Sequence, residues 1–90
     1  MSETLHKMAD DIANETQLKN DMAEAIATRI DRLLKKKAMS HKDLALLTRH
    51  SQGEVSRWLS GTHNFTLATL AKISVALGEN ILDFSFNPDA

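Results

Sequence analysis

The sequence predicts an all-α protein of five or six helices with a short C-terminal strand. Three observations lead there. Apolar residues recur at helical spacing along most of the 90 residues. Helix-capping residues stand in front of these stripes at the right distances. One proline, three glycines and no tyrosine supply few of the turns that a many-stranded fold would need. The length fits one domain with an arm. The balance of 42% apolar and 26% charged residues is that of a globular chain rather than a disordered one.

The elements follow in order. Leu5, Met8, Ala9, Ile12 and Ala13 form one stripe of an amphipathic helix. Asn14-Glu15-Thr16-Gln17 reads as a polar break, with Asn20 capping a second helix. That helix carries Met22, Ala23, Ile26, Ala27, Ile30, Leu33 and Leu34, and ends in Lys35-Lys36-Lys37, a solvated run that suits the negative end of a helix dipole. Ser40 caps a short helix with Asp43 at its third position and Leu44, Ala45 and Leu47 inward. Ser51-x-x-Glu54 is a capping box for another, with Val55, Trp58 and Leu59 inward and Gly61 just past its end. Thr66 caps a further helix with Leu67, Leu70, Ile73 and Leu77 on one side, and Gly78 ends it. Leu82-Asp83-Phe84-Ser85-Phe86 alternates at period two, the pattern of a strand, and Pro88 stops any ladder. The organisation expected is an arm over residues 1–19, a domain over 20–80 and a tail over 81–90.

Charge is unevenly spread. Residues 1–24 hold two lysines against six acids, a balance of −4. Residues 25–77 hold nine Lys or Arg against three acids, +6, and residues 78–90 hold three acids alone, −3. A basic centre between acidic flanks points to a polyanion partner for the middle, although segregated solvated faces would give the same count.

The short helices over 40–48 and 51–60 are joined by about three residues, a helix-turn-helix spacing. Ala45 supplies a small residue where the helices cross, and Val55 and Trp58 lock the second onto the first. At 100° per residue, Gln52, Gly53, Ser56, Arg57 and Ser60 occupy one outward arc of about 140°, opposite Val55, Trp58 and Leu59. An α-helix fits the major groove with its N-terminal residues at base edges. Gln52 is therefore a candidate base reader, since an amide bonds bidentately to adenine. Arg57 is a candidate phosphate or guanine ligand, and Gly53 and Ser56 permit close approach. His41 and Lys42, at a helix N-terminus, are candidates for gripping phosphate.

The run Ser40-His41-Lys42-Asp43-Leu44-Ala45, the run from Ser51 through Gly61, and Asn64-Phe65-Thr66-Leu67-Ala68-Thr69-Leu70-Ala71-Lys72-Ile73 together resemble the Xre-type, lambda-repressor-like helix-turn-helix domain over about residues 20–80. The stretch from Leu59 to Leu67 is similar to the antitoxin branch, HigA-type proteins. The resemblance implies a repressor of transcription that binds a palindromic operator in duplex DNA as a homodimer, with phosphate contacts from Thr62, His63 and Asn64 in the loop after the reading helix. Ser51, heading that helix, belongs to the same surface. The antitoxin branch implies further an autoregulated toxin–antitoxin operon and a toxin protein as partner. Arg49 stands where the family often has glycine in the turn, which implies either a strained turn or a phosphate contact. His41 replaces a common glutamine, and Phe65 a common proline.

The tail residues Leu82, Phe84 and Phe86 share one face and are candidates for dimerisation. Trp58 shares the inward arc with Val55 and reads as core rather than as a stacking platform. His6, His41, His50 and His63 show no ligand spacing, so neither metal nor cofactor is expected. The adjacency of His50 and Ser51 implies no triad, so no catalysis is expected. The absence of cysteine fits a reducing compartment, the cytoplasm. No apolar run approaches the ~20 residues of a membrane span, and Met1-Ser2-Glu3-Thr4 opens no secretion signal. A rival reading is a helical protein-interaction module whose basic centre binds an acidic partner.

Overall fold

The structure, a computed structural model, describes residues 2–82. Four helices fold around one core: α1 (Ser2–Lys36), α2 (His41–Thr48), α3 (Gln52–Trp58) and α4 (Leu67–Leu77). Among the described residues there are four helices and no strand, in place of the five or six helices and C-terminal strand expected. Leu82, the one described residue of that expected strand, sits in a bend, and residues 83–86 lie outside the described residues.

The helix count falls because α1 is continuous through the expected break. Asn14, Glu15, Thr16 and Gln17 are polar, but none is a helix breaker, and two of them bond within the helix. Thr16 Oγ1 donates to the Ile12 carbonyl at 3.0 Å, and Gln17 Nε2 donates to Asp21 Oδ1 one turn on at 2.9 Å. Asn20 is accordingly a mid-helix residue and not a cap.

Only the second half of α1 meets the core. Ile30, Leu33 and Leu34 pack with Leu44 and Ala45 of α2, Val55 and Trp58 of α3, Leu70, Ile73 and Leu77 of α4, and Ile81 beyond it. Two expected inward residues face solvent instead. Leu47 is 56% exposed and Leu67 is 77% exposed. In the eight residues of α2, Leu44, Ala45 and Thr48 share the buried arc, and Leu47 falls just beyond its edge. Leu67 is the first residue of α4, ahead of the turn that packs.

Polar contacts fasten the chain after α4 to α1. Arg29 donates two hydrogen bonds to the Asn80 carbonyl at 2.9 and 3.2 Å, and Lys36 pairs with Glu79 at 3.3 Å. Ser74 Oγ donates to the Leu70 carbonyl and accepts from the Ile81 amide, which turns Ile81 back into the core.

Three helices end in the same left-handed stop. At the end of α1, Met39 N–H bonds to Leu34 O and Ala38 N–H to Lys35 O, with Ala38 at φ 53°. At the end of α2, His50 N–H bonds to Ala45 O and Arg49 N–H to Leu46 O, with Arg49 at φ 60°. At the end of α4 the left-handed residue is Gly78, φ 70°, where no side chain is strained. A Cβ in this region costs about 1 kcal/mol. Ala38→Gly and Arg49→Gly are each expected to raise the thermal midpoint by a few degrees, about 1 kcal/mol for a domain of this size. A lowered midpoint would show that the replaced side chain makes contacts worth more than the strain.

Candidate nucleic-acid interface

The turn and second helix are built by reciprocal caps. Asp43 N–H donates to Ser40 Oγ at 3.1 Å while Ser40 N–H donates to the Asp43 carboxylate at 2.9 Å. At the start of α3 the motif repeats: Glu54 N–H donates to Ser51 Oγ at 3.1 Å and Ser51 N–H to Glu54 at 3.4 Å. Thr48 Oγ1, buried, donates to the Leu44 carbonyl at 2.7 Å and closes the end of α2. Val55 and Trp58 are fully sequestered, so the opposite face of α3 must point outward.

On that face Gln52, Gly53, Ser56, Arg57 and Ser60 are all exposed, as the sequence implies. Gln52 and Ser56, and likewise Gly53 and Arg57, are one helical turn apart and so stack along the helix. Arg57 takes part in no ion pair among the described residues, nor do Lys42 and Arg49. The helix is thus an exposed ridge carrying an amide, a hydroxyl and an unpaired guanidinium. Its seven residues span roughly 10 Å.

The other expected site residues fall in three places. His41 and Lys42 are exposed in the first turn of α2. Arg49 is exposed at the opposite end of α2, where it lines a shallow groove with Lys72 of α4. Lys72 was not singled out by sequence, because a lone lysine in an apolar helix carries no spacing signal. Thr62 and Asn64 are exposed and His63 is half-buried in the loop after α3. That loop is braced locally. Ser60 Oγ donates to the Arg57 carbonyl at 2.6 Å and lies 3.0 Å from Thr62 Oγ1, and the His63 ring meets Phe65 edge-on at 4.8 Å. Ser60 therefore finishes α3, and Ser51 is occupied as its cap. Phe84 and Phe86 lie outside the described residues, and Leu82 is half-buried.

Sequence reasoning missed one contact. His50 Nδ1 bonds to Glu54, one turn on, and the imidazole ring meets Trp58 edge-on at 5.0 Å. Its Nε2 is buried without a partner among the described residues. The i, i+4 spacing was the available signal, but His50 lies in the turn before α3 and not in a helix. The imidazole contact, followed by the Ser51 cap, holds the Glu54 carboxyl below its ordinary pKa, and the Ser40 cap does the same for Asp43. Both folded-state values lie below the unfolded ones. The stabilisation is therefore complete above the unfolded pKa of about 4 and is lost as pH falls below it. Acid melts are expected to show a falling midpoint below about pH 4, and the drop should shrink in the double variant Asp43→Asn, Glu54→Gln. An identical acid limb in that variant would assign the loss to other carboxylates.

Among the described residues no cluster of three His, Cys, Asp or Glu could hold a metal ion, and no helix is long and apolar enough to cross a membrane. Residues 29–88 match the family model of the Cro/C1-type HTH DNA-binding domain. Among solved structures, the restriction-modification controller protein C.AhdI from Aeromonas hydrophila is similar at a TM-score of 0.63 and 23% identity, over 68% of this chain and 92% of that one. At that identity the likeness is one of fold. No curated protein matches the chain. The family match spans most of the chain and takes in both capped helices, the exposed ridge of α3 and the helix that backs them, so the chain belongs to the Cro/C1-type helix-turn-helix family, a DNA-binding protein and not an enzyme.

Proposed function

We propose that this DNA-binding regulator is a cytoplasmic transcriptional repressor that recognises a palindromic duplex operator as a homodimer, with α3 in the major groove. The observation that supports it most is the exposed face of α3, polar and free of ion pairs among the described residues, on a helix fixed by its own capping box and two buried side chains. Gln52 reads bases, and Gly53 and Ser56 let the backbone approach. Arg57 contacts phosphate or guanine, and His41, Lys42, Arg49, Ser51, Thr62, His63 and Asn64 hold the flanking phosphates. Replacing Lys42 or Arg57 by Ala is expected to lower the slope of log K against log salt by about 1 for each phosphate released. Slopes unchanged in both variants would remove the basic centre from the interface and favour the protein-interaction module.

The dimer is needed because one such helix offers a small contact, and paired half-sites lie about 10 bp apart. Leu82, Phe84 and Phe86 contribute to it. The finer proposal is an antitoxin that represses its own operon and binds the toxin. It rests on the resemblance of the stretch from Leu59 to Leu67 to HigA-type proteins, and on the acids of α1. Glu3, Asp10, Asp21 and Glu24 fall on the side of the helix away from its apolar stripe, where a basic protein could meet them. The expected result is salt-sensitive binding of the adjoining gene's product and rescue of cells from it. No binding and no rescue would leave a general Xre-type regulator.

A further inference from the structure

Residues 3–22 of α1 are helical yet lie outside the core. Every residue from 3 to 22 is exposed, including Leu5, Met8, Ile12, Leu18 and Met22, each more than half so. Helices in proteins draw most of their stability from packing an apolar face, and a stripe of this size left in water marks a surface that pairs with another chain. Where the helix reaches the core, its flank and the domain enclose an apolar groove of about 420 Å³, lined by Leu18, Met22, Ile26, Phe65, Leu70 and Leu82. The two formal charges in its lining are Glu15 and Lys19, of opposite sign and one helical turn apart.

The occupant can be read from the spacing. Residues 5, 8, 12, 15, 19, 22 and 26 alternate steps of three and four, the a and d positions of a coiled coil. Apolar residues hold these positions at Leu5, Met8, Ile12, Met22 and Ile26, and the two exceptions are Glu15 and Lys19. In an antiparallel pair of α1 helices with its two-fold axis at residue 17, Met8 faces the partner's Ile26 and Ile12 the partner's Met22. Glu15 then faces the partner's Lys19, and symmetry makes that ion pair twice. A parallel pair would instead set Glu15 on Glu15 and Lys19 on Lys19. A slip of one heptad would set each charge against an apolar residue. Charge complementarity thus selects one orientation and one register.

We infer that the N-terminal half of α1 is a self-pairing arm: it lies antiparallel along α1 of a second copy, seats Met8 and Ile12 in that copy's groove, and is held in register by reciprocal Glu15–Lys19 pairs. The inference rests on the homodimer reading and names its interface. The pairing leaves the acidic side of α1 outward. It also separates the two core centres, taken at Ile30, by roughly 40 Å along the helices, close to the ~34–36 Å between half-sites one turn of DNA apart.

The test uses the full chain in sedimentation equilibrium. Glu15→Lys sets lysine against Lys19 and is expected to weaken the dimer about tenfold or more, and the exchange variant Glu15→Lys, Lys19→Glu to restore it. Both positions are exposed, so the fold should stand, and an unchanged helical spectrum checks that. Because the chain has no cysteine, Ile12→Cys and Met22→Cys chains mixed under mild oxidation should cross-link to each other, and neither should cross-link to itself. Cross-linking of Ile12→Cys alone would mean a parallel pair and overturn the register. A dimer indifferent to Glu15→Lys but lost on deleting residues 83–90 would place the chain's own tail, not the arm, at the interface, and overturn the inference while leaving the homodimer. A wild-type chain that sediments as a monomer would overturn both.

Discussion

Trp58→Ala is expected to destabilise the protein by about 3–5 kcal/mol, a large share of the 5–15 kcal/mol typical of a domain. The indole is 2% exposed, lies in the core cluster with Ile30, Leu44 and Val55, and receives the edge of His50. Removing it leaves a cavity where α3 is fastened to the rest, and deprives His50 of a wall. Denaturant unfolding measures the loss directly. Because Trp58 holds α3 from within while the reading face lies opposite, DNA binding should fall only as far as the folded fraction falls. A midpoint unchanged by the substitution would place the ring outside the core and reopen a role in stacking on bases.

Gln52→Ala carries the second largest effect. The side chain is exposed at the first position of α3, beyond the Ser51 cap, and helps neither the core nor the capping box. Stability should hardly change. Affinity for the specific site is expected to fall by about 1–3 kcal/mol, roughly 5- to 150-fold, while affinity for random duplex stays as it was. Parallel titrations of the two DNAs separate these outcomes. Equal losses on both would make Gln52 a general contact and leave base reading to Ser56 and Arg57.

Much of this architecture is legible in the residues. Ser40 with Asp43, Ser51 with Glu54, and Thr66 mark three helix starts that the structure keeps, because a short side chain that bonds its own backbone has few other uses. Val55, Trp58, Leu70, Ile73 and Leu77 are buried as their spacing implies. What failed was local. Asn14–Gln17 looked like a break because polarity is a weaker signal than glycine or proline, and four polar residues in a row cost a helix little. Ala38 gave no hint of its left-handed backbone, since only glycine, asparagine and aspartate visit that region routinely. Leu47 is exposed because the buried arc of α2 runs through Leu44, Ala45 and Thr48, and a two-turn helix gives its apolar pattern too few repeats to fix that arc's edge. The exposed face of α3 was legible for a simpler reason: once two residues of a two-turn helix are buried, the opposite arc has only one place to go.

If α3 enters the major groove of duplex DNA and reads it there, groups placed in that groove must block binding. Methylation interference on a site selected from random duplex tests this most directly, because methyl groups on guanine N7 project into the major groove and those on adenine N3 into the minor groove. N7 methylation is expected to block binding in two patches about 10 bp apart, related by the symmetry of the site, and the patches are expected to lose sharpness with Gln52→Ala. Binding that ignores N7 methylation throughout, or that is blocked only from the minor groove, would contradict major-groove reading by α3.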